Sequence, residues 1–411
     1  MLLYNSFTLT NGLRLIVHED DSTPMAALNV LYDVGARDED PELTGLAHMF
    51  EHLMFSGSRN IKNIDAPVQN GGGENNAFTN SDHTNYHEIF PAQNIELAFW
   101  IEADRMEHLS VSKKSLNTQK KVVIEEFKET TLDEPFGDVW HHLSEMVYES
   151  HPYRWPVIGL RPDHIAKIDL EDVNRFYKRY YQPNNAIIAV VGNVKTDQVK
   201  QLAEKWFGSI PTTPLVKRTY PREKEQIVQK RKIIKGAHPA EAIYIAFRMG
   251  SRLSDDFYCN DLISDILSNG QSSRFYLNLL KQKRMFNSID AFLSGTIDDG
   301  IFVIEGKLNE GISLNKAEEA IWEELELLKH VEIEDYELQK NKNQVESALV
   351  FSESGTLNKA INFCFYESIG QLNMINTEMD EYNKVTVSDI KRSAIELFQR
   401  YKSSVVWYEI H

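Results

Sequence analysis

The chain has 411 residues, with 61 acidic against 44 basic side chains for a formal net charge of −17, and is 42% hydrophobic and 10% aromatic. Its length exceeds what one hydrophobic core organises, so two domains of about 200 residues each are expected, and the apolar content excludes a disordered chain. The acidity disfavours nucleic acid and anionic membrane surfaces as partners, and no run of about 18 uninterrupted apolar residues marks a spanning helix.

From the start, Met1 to Phe7 lacks the basic n-region and apolar core of a signal peptide, which makes a cytoplasmic protein the default expectation, or a periplasmic one if a leader has been trimmed. Phe7 to Val17 reads as two β-rich runs joined by the Asn11-Gly12 turn, a hairpin signal. Ala26 to Val34 is a strand, Thr44 to Gly57 an apolar helix, Gly71 to Gly73 a mobile turn without the Lys-Ser/Thr ending of a phosphate loop, and Asn76 to Phe90 a strand-like run. Helical spacing covers Ile95 to His108, Lys114 to Thr130 and Val173 to Tyr181. A buried-looking strand follows at Ala186 to Val191, and a helix from Gln198 to Phe207.

The order then returns. Strands span Ile227 to Ile234 and Ala242 to Met249, a helix Tyr258 to Ser268, a strand pair Ser288 to Lys307, and helices Leu314 to Lys329, Tyr336 to Ser352 and Val387 to Tyr401, before a last strand from Ser403 to Glu409. Ala26 to Arg37 set against Glu241 to Arg252 makes the duplication visible. The expected fold is α+β: two homologous α/β-sandwich halves, residues 1–216 and 217–411, each a largely antiparallel sheet packed with helices. The linker from Pro211 to Lys235 is basic, which reads as a solvated segment beside an acidic body. Cys259 and Cys364 are expected as core thiols, too few for a disulfide framework.

The chemistry concentrates at His48-Met-Phe-Glu51-His52. Two imidazoles four residues apart share a helix face and can converge on one metal ion, while the Glu51 carboxylate flanks that face, within reach of a water at the ion. The equivalent helix of the second half, Asn260 to Leu267, has no histidine, so the cluster belongs to a site and not to the fold. A hydrolytic zinc site usually has a third protein ligand. The helix around Val122-Val-Ile-Glu-Glu126 offers Glu125, Glu126 or Glu129, and periodicity leaves all three open. His83 and His87 lie about 13 Å apart if their segment is a strand, too far for one zinc, and the adjoining His141 and His142 diverge on a helix.

His48 to His52, Asn76-Ala-Phe-Thr79 with Asp82 to Tyr86, Val122 to Glu126, His151 to Gly159 and Gly270 to Arg274, in this order, resemble the pitrilysin family of inverted-motif zinc peptidases along nearly the whole chain. The length is similar to that of short bacterial members and of mitochondrial processing peptidase subunits. The resemblance implies one zinc per chain, held by His48, His52 and Glu126, with Glu51 as general base. It implies that an extended peptide adds to the edge strand at Asn76, Ala77 and Phe78. Where the family commonly has a second glutamate, seven residues before the ligand, this chain has Gln119, a group able to hydrogen-bond a ligand from outside.

The expected activity is therefore that of a zinc-dependent endopeptidase acting on unfolded peptides or flexible segments. The alternatives are a non-catalytic peptide-binding or structural subunit, or a small-molecule esterase or amidase. The family's substrate-holding Arg and Tyr, seven residues apart, are replaced by Lys281 and Ser288. That departure implies a dimer, either a homodimer or a heterodimer with a paralogue that lacks the metal motif and supplies those groups.

Overall fold

The Asn11-Gly12 turn places Gly12 at φ +86°, a left-handed conformation open to glycine, and folds β1 (Asn5–Thr8) antiparallel onto β2 (Arg14–Glu19). The computed structural model describes residues 1–410. β3 (Met25–Tyr32) leads to α1 (Leu46–Met54) and α2 (Asp65–Asn70). The run expected as one strand is a hairpin of β4 (Glu74–Thr79) and β5 (Thr84–Pro91). Its turn forms because the Asn80 side-chain oxygen accepts the amides of Asp82 at 2.8 Å and His83 at 2.7 Å, a local bond that competes with the ladder. There follow α3 (Glu96–His108), α4 (Lys113–Phe127), α5 (Val139–Val147), α6 (Pro162–Lys167), α7 (Leu170–Tyr180), β6 (Ala186–Gly192) and α8 (Thr196–Phe207). The helix expected to reach Thr130 leaves α geometry at Phe127 and widens into a π-helical turn over Lys128–Asp133.

The second half runs through β7 (Lys230–Gly236), β8 (Ala242–Arg248), α9 (Phe257–Ser268), β9 (Phe286–Ser294), β10 (Ile301–Leu308), α10 (Leu314–His330) and α11 (Asp335–Ser352). It ends with α12 (Thr356–Ser368), α13 (Met374–Lys384), α14 (Val387–Leu397) and β11 (Ser403–Ile410). The last helix stops four residues short of the expected Tyr401, since the Phe398 backbone leaves helical geometry at ψ 64°.

The duplication is carried by the sheets. Six strands run β1-β2-β6-β3-β5-β4 in the first and five run β7-β11-β8-β10-β9 in the second. In both, one parallel pair (β2 with β6, β7 with β11) adjoins antiparallel neighbours throughout, so the topologies superpose once β1 is set aside. The two compact units these sheets define are discontinuous in sequence. One comprises Met1–Lys128, Trp155–Tyr220 and Leu349–Thr377; the other Glu129–Arg154, Pro221–Ala348 and the chain from Glu378 onward. Each is thus mostly one half of the sequence plus a segment drawn from the other.

Those borrowed segments explain why the central strands are apolar on both faces. In β3, Leu28, Val30 and Tyr32 face the core shared with Phe50, Phe99 and Phe207, while Ala27 and Leu31 face Ala360, Phe363 and Cys364 of α12. In β8, Ile243, Ile245 and Phe247 face α9 and α10, while Ala242, Tyr244 and Ala246 meet Val139, Leu143 and Val147 of α5. Alternate residues fill opposite layers, and a strand covered on both sides reads as a continuous apolar run. Cys259 and Cys364 are both buried free thiols.

Phe363 is fully buried on the second face of the first sheet. We expect Phe363→Ala to destabilise the protein by about 3 kcal/mol or more, read as a lowered urea midpoint. An unchanged midpoint would contradict the packing of α12 on that sheet.

Candidate metal centre

α1 begins without a side-chain cap of its own. Its N-cap is Gly45 at φ +89°, and a Cβ there would meet the Ile158 carbonyl at 2.8 Å. The cap comes from a distance: buried Glu39 accepts the amides of Gly45 at 2.9 Å and Ala47 at 2.7 Å, one on each carboxyl oxygen, at the start of the helix. Burial pushes the Glu39 carboxyl up to about 8, while those two amides pull it down. Trp155 donates to the Ala36 carbonyl at 2.9 Å and Leu160 to the Thr44 hydroxyl at 2.8 Å, so the segment following His151 braces the start of the same helix. The orientation of α1 is therefore fixed before its histidines are considered. Met49, Phe50, Leu53 and Met54 are buried in the core and leave His48, Glu51 and His52 on the opposite face.

α4 lies against this face and brings in one carboxylate. His48 Nε2 is 3.3 Å from His52 Nε2 and 3.6 Å from Glu126 Oε1, and His52 Nε2 is 3.5 Å from Glu126 Oε2. Hydrogen bonds of good geometry are shorter than these last two contacts. Donors bound tetrahedrally at the usual zinc distances stand about 3.3 Å apart, so the spacing fits three lone pairs facing a common ion. Among the described residues this is the group of three His, Cys, Asp or Glu side chains whose donor atoms converge within 4.8 Å.

The protonation states suit the same role. Burial pushes His48 down to about 4 against the pull of Glu126, which keeps a lone pair available near neutral pH. Glu126 is held below the usual carboxylate range, first by its contact with His52. Glu125, the neighbour on α4, points away to pair with Lys128 at 2.7 Å, and of the three glutamates that periodicity left open it is Glu126 whose oxygens face the two imidazoles. Gln119 lies on the same face of α4, half-buried, about 10 Å along the axis from Glu126.

Glu51 is drawn up by burial, and its Oε2 accepts a hydrogen bond of 2.5 Å from the Thr79 hydroxyl, which opposes that rise. Thr79 ends β4, the edge strand of the first sheet. Along β4 burial alternates: Asn75, Ala77 and Thr79 turn inward, and Glu74, Asn76 and Phe78 outward. Beneath the hairpin, Arg105 of α3 donates to Glu88 of β5 at 3.2 Å and to Glu102, with all three side chains buried. His87 lies opposite Asn76 in the ladder. His83 is buried in the turn, and burial pushes its pKa down. His142 pairs with Asp138 at 3.0 Å and with Lys232 at 2.8 Å. Lys281 lies in a π-helical turn with its ammonium 5.2 Å from the Tyr276 ring, and Ser288 lies on β9.

Sequence reasoning gave Thr79 and Glu39 no role. Thr79 stood inside a quoted motif, and its inward alternation with Ala77 was the available signal; Glu39 lies six residues before the helix it caps, outside any capping-box spacing. The second half shows which residues stand at the matching positions. Matching the buried Met49, Phe50, Leu53 and Met54 to Leu262, Ile263, Ile266 and Leu267 sets Asp261, Ser264 and Asp265 against His48, Glu51 and His52. Asp261 accepts the Tyr382 hydroxyl at 2.5 Å and Asp265 the Asn269 amide at 3.0 Å. Leu116 and Val123 match Leu338 and Val345, which puts Ala348 opposite Glu126.

A two-unit α+β fold in which a glutamate of α4 faces the two histidines of an HxxEH helix is the arrangement of the inverted-motif metallopeptidases. The family model described as Insulinase (Peptidase family M16) matches residues 14–159, and that described as Peptidase M16 inactive domain matches residues 167–345. The chain belongs to peptidase family M16. It is 28% identical over 411 residues to the zinc protease PqqE of Helicobacter pylori (98% of this chain, 92% of that one). It is 27% identical over 399 residues to the uncharacterized zinc protease YmxG of Bacillus subtilis (95% of each). A crystal structure of a protease from Helicobacter pylori superposes with a TM-score of 0.93 at 28% identity, over 100% of both chains. No helix among the described residues is long and apolar enough to cross a membrane.

The His48 shift sets a pH dependence. Its pKa is lower folded than the ordinary 6.5, so the unfolded chain takes up the proton first and stability falls as pH drops from 6.5 towards about 4. Glu126, also depressed, acts in the same direction. In chelator-treated protein we expect the urea midpoint to fall between about pH 7 and about pH 5, and to fall less in His48→Gln. Equal slopes in the two proteins would contradict the assignment.

Proposed function

We propose that the chain is a zinc-dependent endopeptidase that holds one zinc on His48, His52 and Glu126 and hydrolyses peptide bonds of unfolded peptides or flexible protein segments. The observation that carries this reading is the convergence of three donor atoms at tetrahedral ligand spacing beside a tethered carboxylate. When bound, zinc supplies Lewis acidity, polarising a carbonyl and lowering the pKa of a water towards neutrality. Glu51 is the general base: it accepts the water's proton during attack on the scissile carbonyl and returns it to the departing amine. Gln119 is assigned as a hydrogen-bonding support for the ligand set from outside it.

The substrate enters as an added strand along the free edge of β4, bonded through main-chain groups at Asn76, Ala77 and Phe78. Recognition through the backbone selects for extended, unfolded chain and not for one side chain. The exposed ring of Phe78 supplies apolar contact on the outward face.

A second reading, a non-catalytic peptide-binding subunit, is favoured by one observation: Lys281 and Ser288 stand where the family resemblance implies Arg and Tyr. The peptidase reading answers it with a dimer, either of two copies or with a paralogue that supplies those groups.

Elemental analysis of the full chain should find about one zinc, retained in Glu51→Gln and lost in Glu126→Ala. Cleavage of a quenched unfolded peptide should fall by about 10²- to 10⁴-fold in Glu51→Gln. A metal-free chain, or undiminished cleavage in that variant, would overturn the proposal. For the partner, we expect slow cleavage by the purified chain alone and recovery on adding a paralogue bearing the Arg and Tyr. Robust turnover by a monomer would contradict the dimer.

A further inference from the structure

The side chain of Glu51 has three rotatable bonds and, as a general base, must present one oxygen in a fixed direction. A proton acceptor a fraction of an ångström out of place loses much of its effect. On α1 nothing local fixes it: among the described residues its one protein hydrogen bond comes from Thr79, 28 residues along the chain, at 2.5 Å to Oε2. Oε1 is left free to take a proton.

Thr79 is itself held firmly. It pairs with Thr84 across the hairpin, and the Thr84 hydroxyl donates to the Val34 carbonyl at 2.9 Å. The turn that follows is pinned from both sides. Asn80 gathers the amides of Asp82 and His83, and the carbonyls of Asn80 and Ser81 accept the amides of Ala36 at 3.1 Å and Arg37 at 3.0 Å. The hydroxyl therefore reaches Glu51 from the pinned end of β4, on the same inward face as Ala77 and directly after Phe78, the last of the edge positions that an added strand would occupy.

We propose that Thr79 is a positioning residue for Glu51: its hydroxyl tethers one carboxylate oxygen and so ties the orientation of the base to the edge strand that receives the peptide. This rests on the peptidase reading of the same site. A β-branched residue at this position would satisfy the strand without any hydroxyl, so packing alone does not account for the bond. Serine would keep the donor, and valine would keep the shape.

The test compares Thr79→Val and Thr79→Ser with the parent chain, on the full-length protein. We expect Thr79→Val to lower kcat by about 10- to 100-fold, the range for groups that orient a reacting side chain, with KM and zinc affinity by chelator competition within about 3-fold. Thr79→Ser should stay within about 3-fold of the parent in all three. The carboxyl carbon resonance of Glu51, assigned in metal-free labelled protein by its disappearance in Glu51→Gln, should move in Thr79→Val and hold its place in Thr79→Ser. If the parent cleaves with bound zinc while Thr79→Val keeps both kcat and the resonance, the tether is overturned and the peptidase reading stands. If the parent fails to cleave, the peptidase reading is what fails. The resonance then decides the tether alone: movement in the valine variant upholds it and an unmoved signal removes it.

Discussion

Everything in the first unit depends on holding two helices so that two imidazoles and one carboxylate stand 3.3 to 3.6 Å apart with no proton needed between them. Left to themselves such groups do not gather: each loses water on burial, and a carboxylate facing two nitrogens without a cation or a shared proton gains little in return. The fold supplies the constraint from elsewhere. α1 is clamped at its start by Glu39, Trp155 and the close approach of Gly45 to the Ile158 carbonyl, and its apolar side is locked into the core by Phe50 and Leu53. The histidines are then presented on the remaining face with little freedom.

The same geometry explains the division of labour among the carboxylates. Glu126 sits between two nitrogens and is held ionised, which suits a ligand. Glu51, more deeply placed and drawn up by burial, is balanced by a single hydroxyl, which suits a group that must take and release a proton. Glu39 and Glu88 are buried for mechanical reasons, one as a helix cap and the other in a guanidinium cluster under the hairpin. These four carboxylates are chemically alike at the level of sequence and acquire their roles from what packs around them.

Much of this was legible before folding was considered. The i, i+4 spacing of His48 and His52 is local, and the repeat is legible because Ala26 to Arg37 and Glu241 to Arg252 keep the alternation of strands built alike. Periodicity could not choose among Glu125, Glu126 and Glu129, because the choice depends on which face of α4 meets α1, a tertiary fact. α12 was missed for a related reason. Its apolar face is matched to the back of a sheet formed some 170 to 340 residues away, and nothing in its own spacing announces that destination. The hairpin turn at Asn80 was hidden because a single side-chain oxygen, not a Gly or Pro, makes it. The second half adds a control written into the chain itself: the corresponding helices, with aspartates, a serine and an alanine at the matching positions, carry structural hydrogen bonds and, among the described residues, no group of three converging donors.

The most direct test of the central claim is a crystal of the zinc-loaded chain measured on both sides of the zinc absorption edge. One strong anomalous peak is expected, in contact with His48 Nε2, His52 Nε2 and a Glu126 carboxylate oxygen, with Glu51 outside the ligand set. A peak held by other side chains, or none at that position in protein shown to be folded, would contradict it.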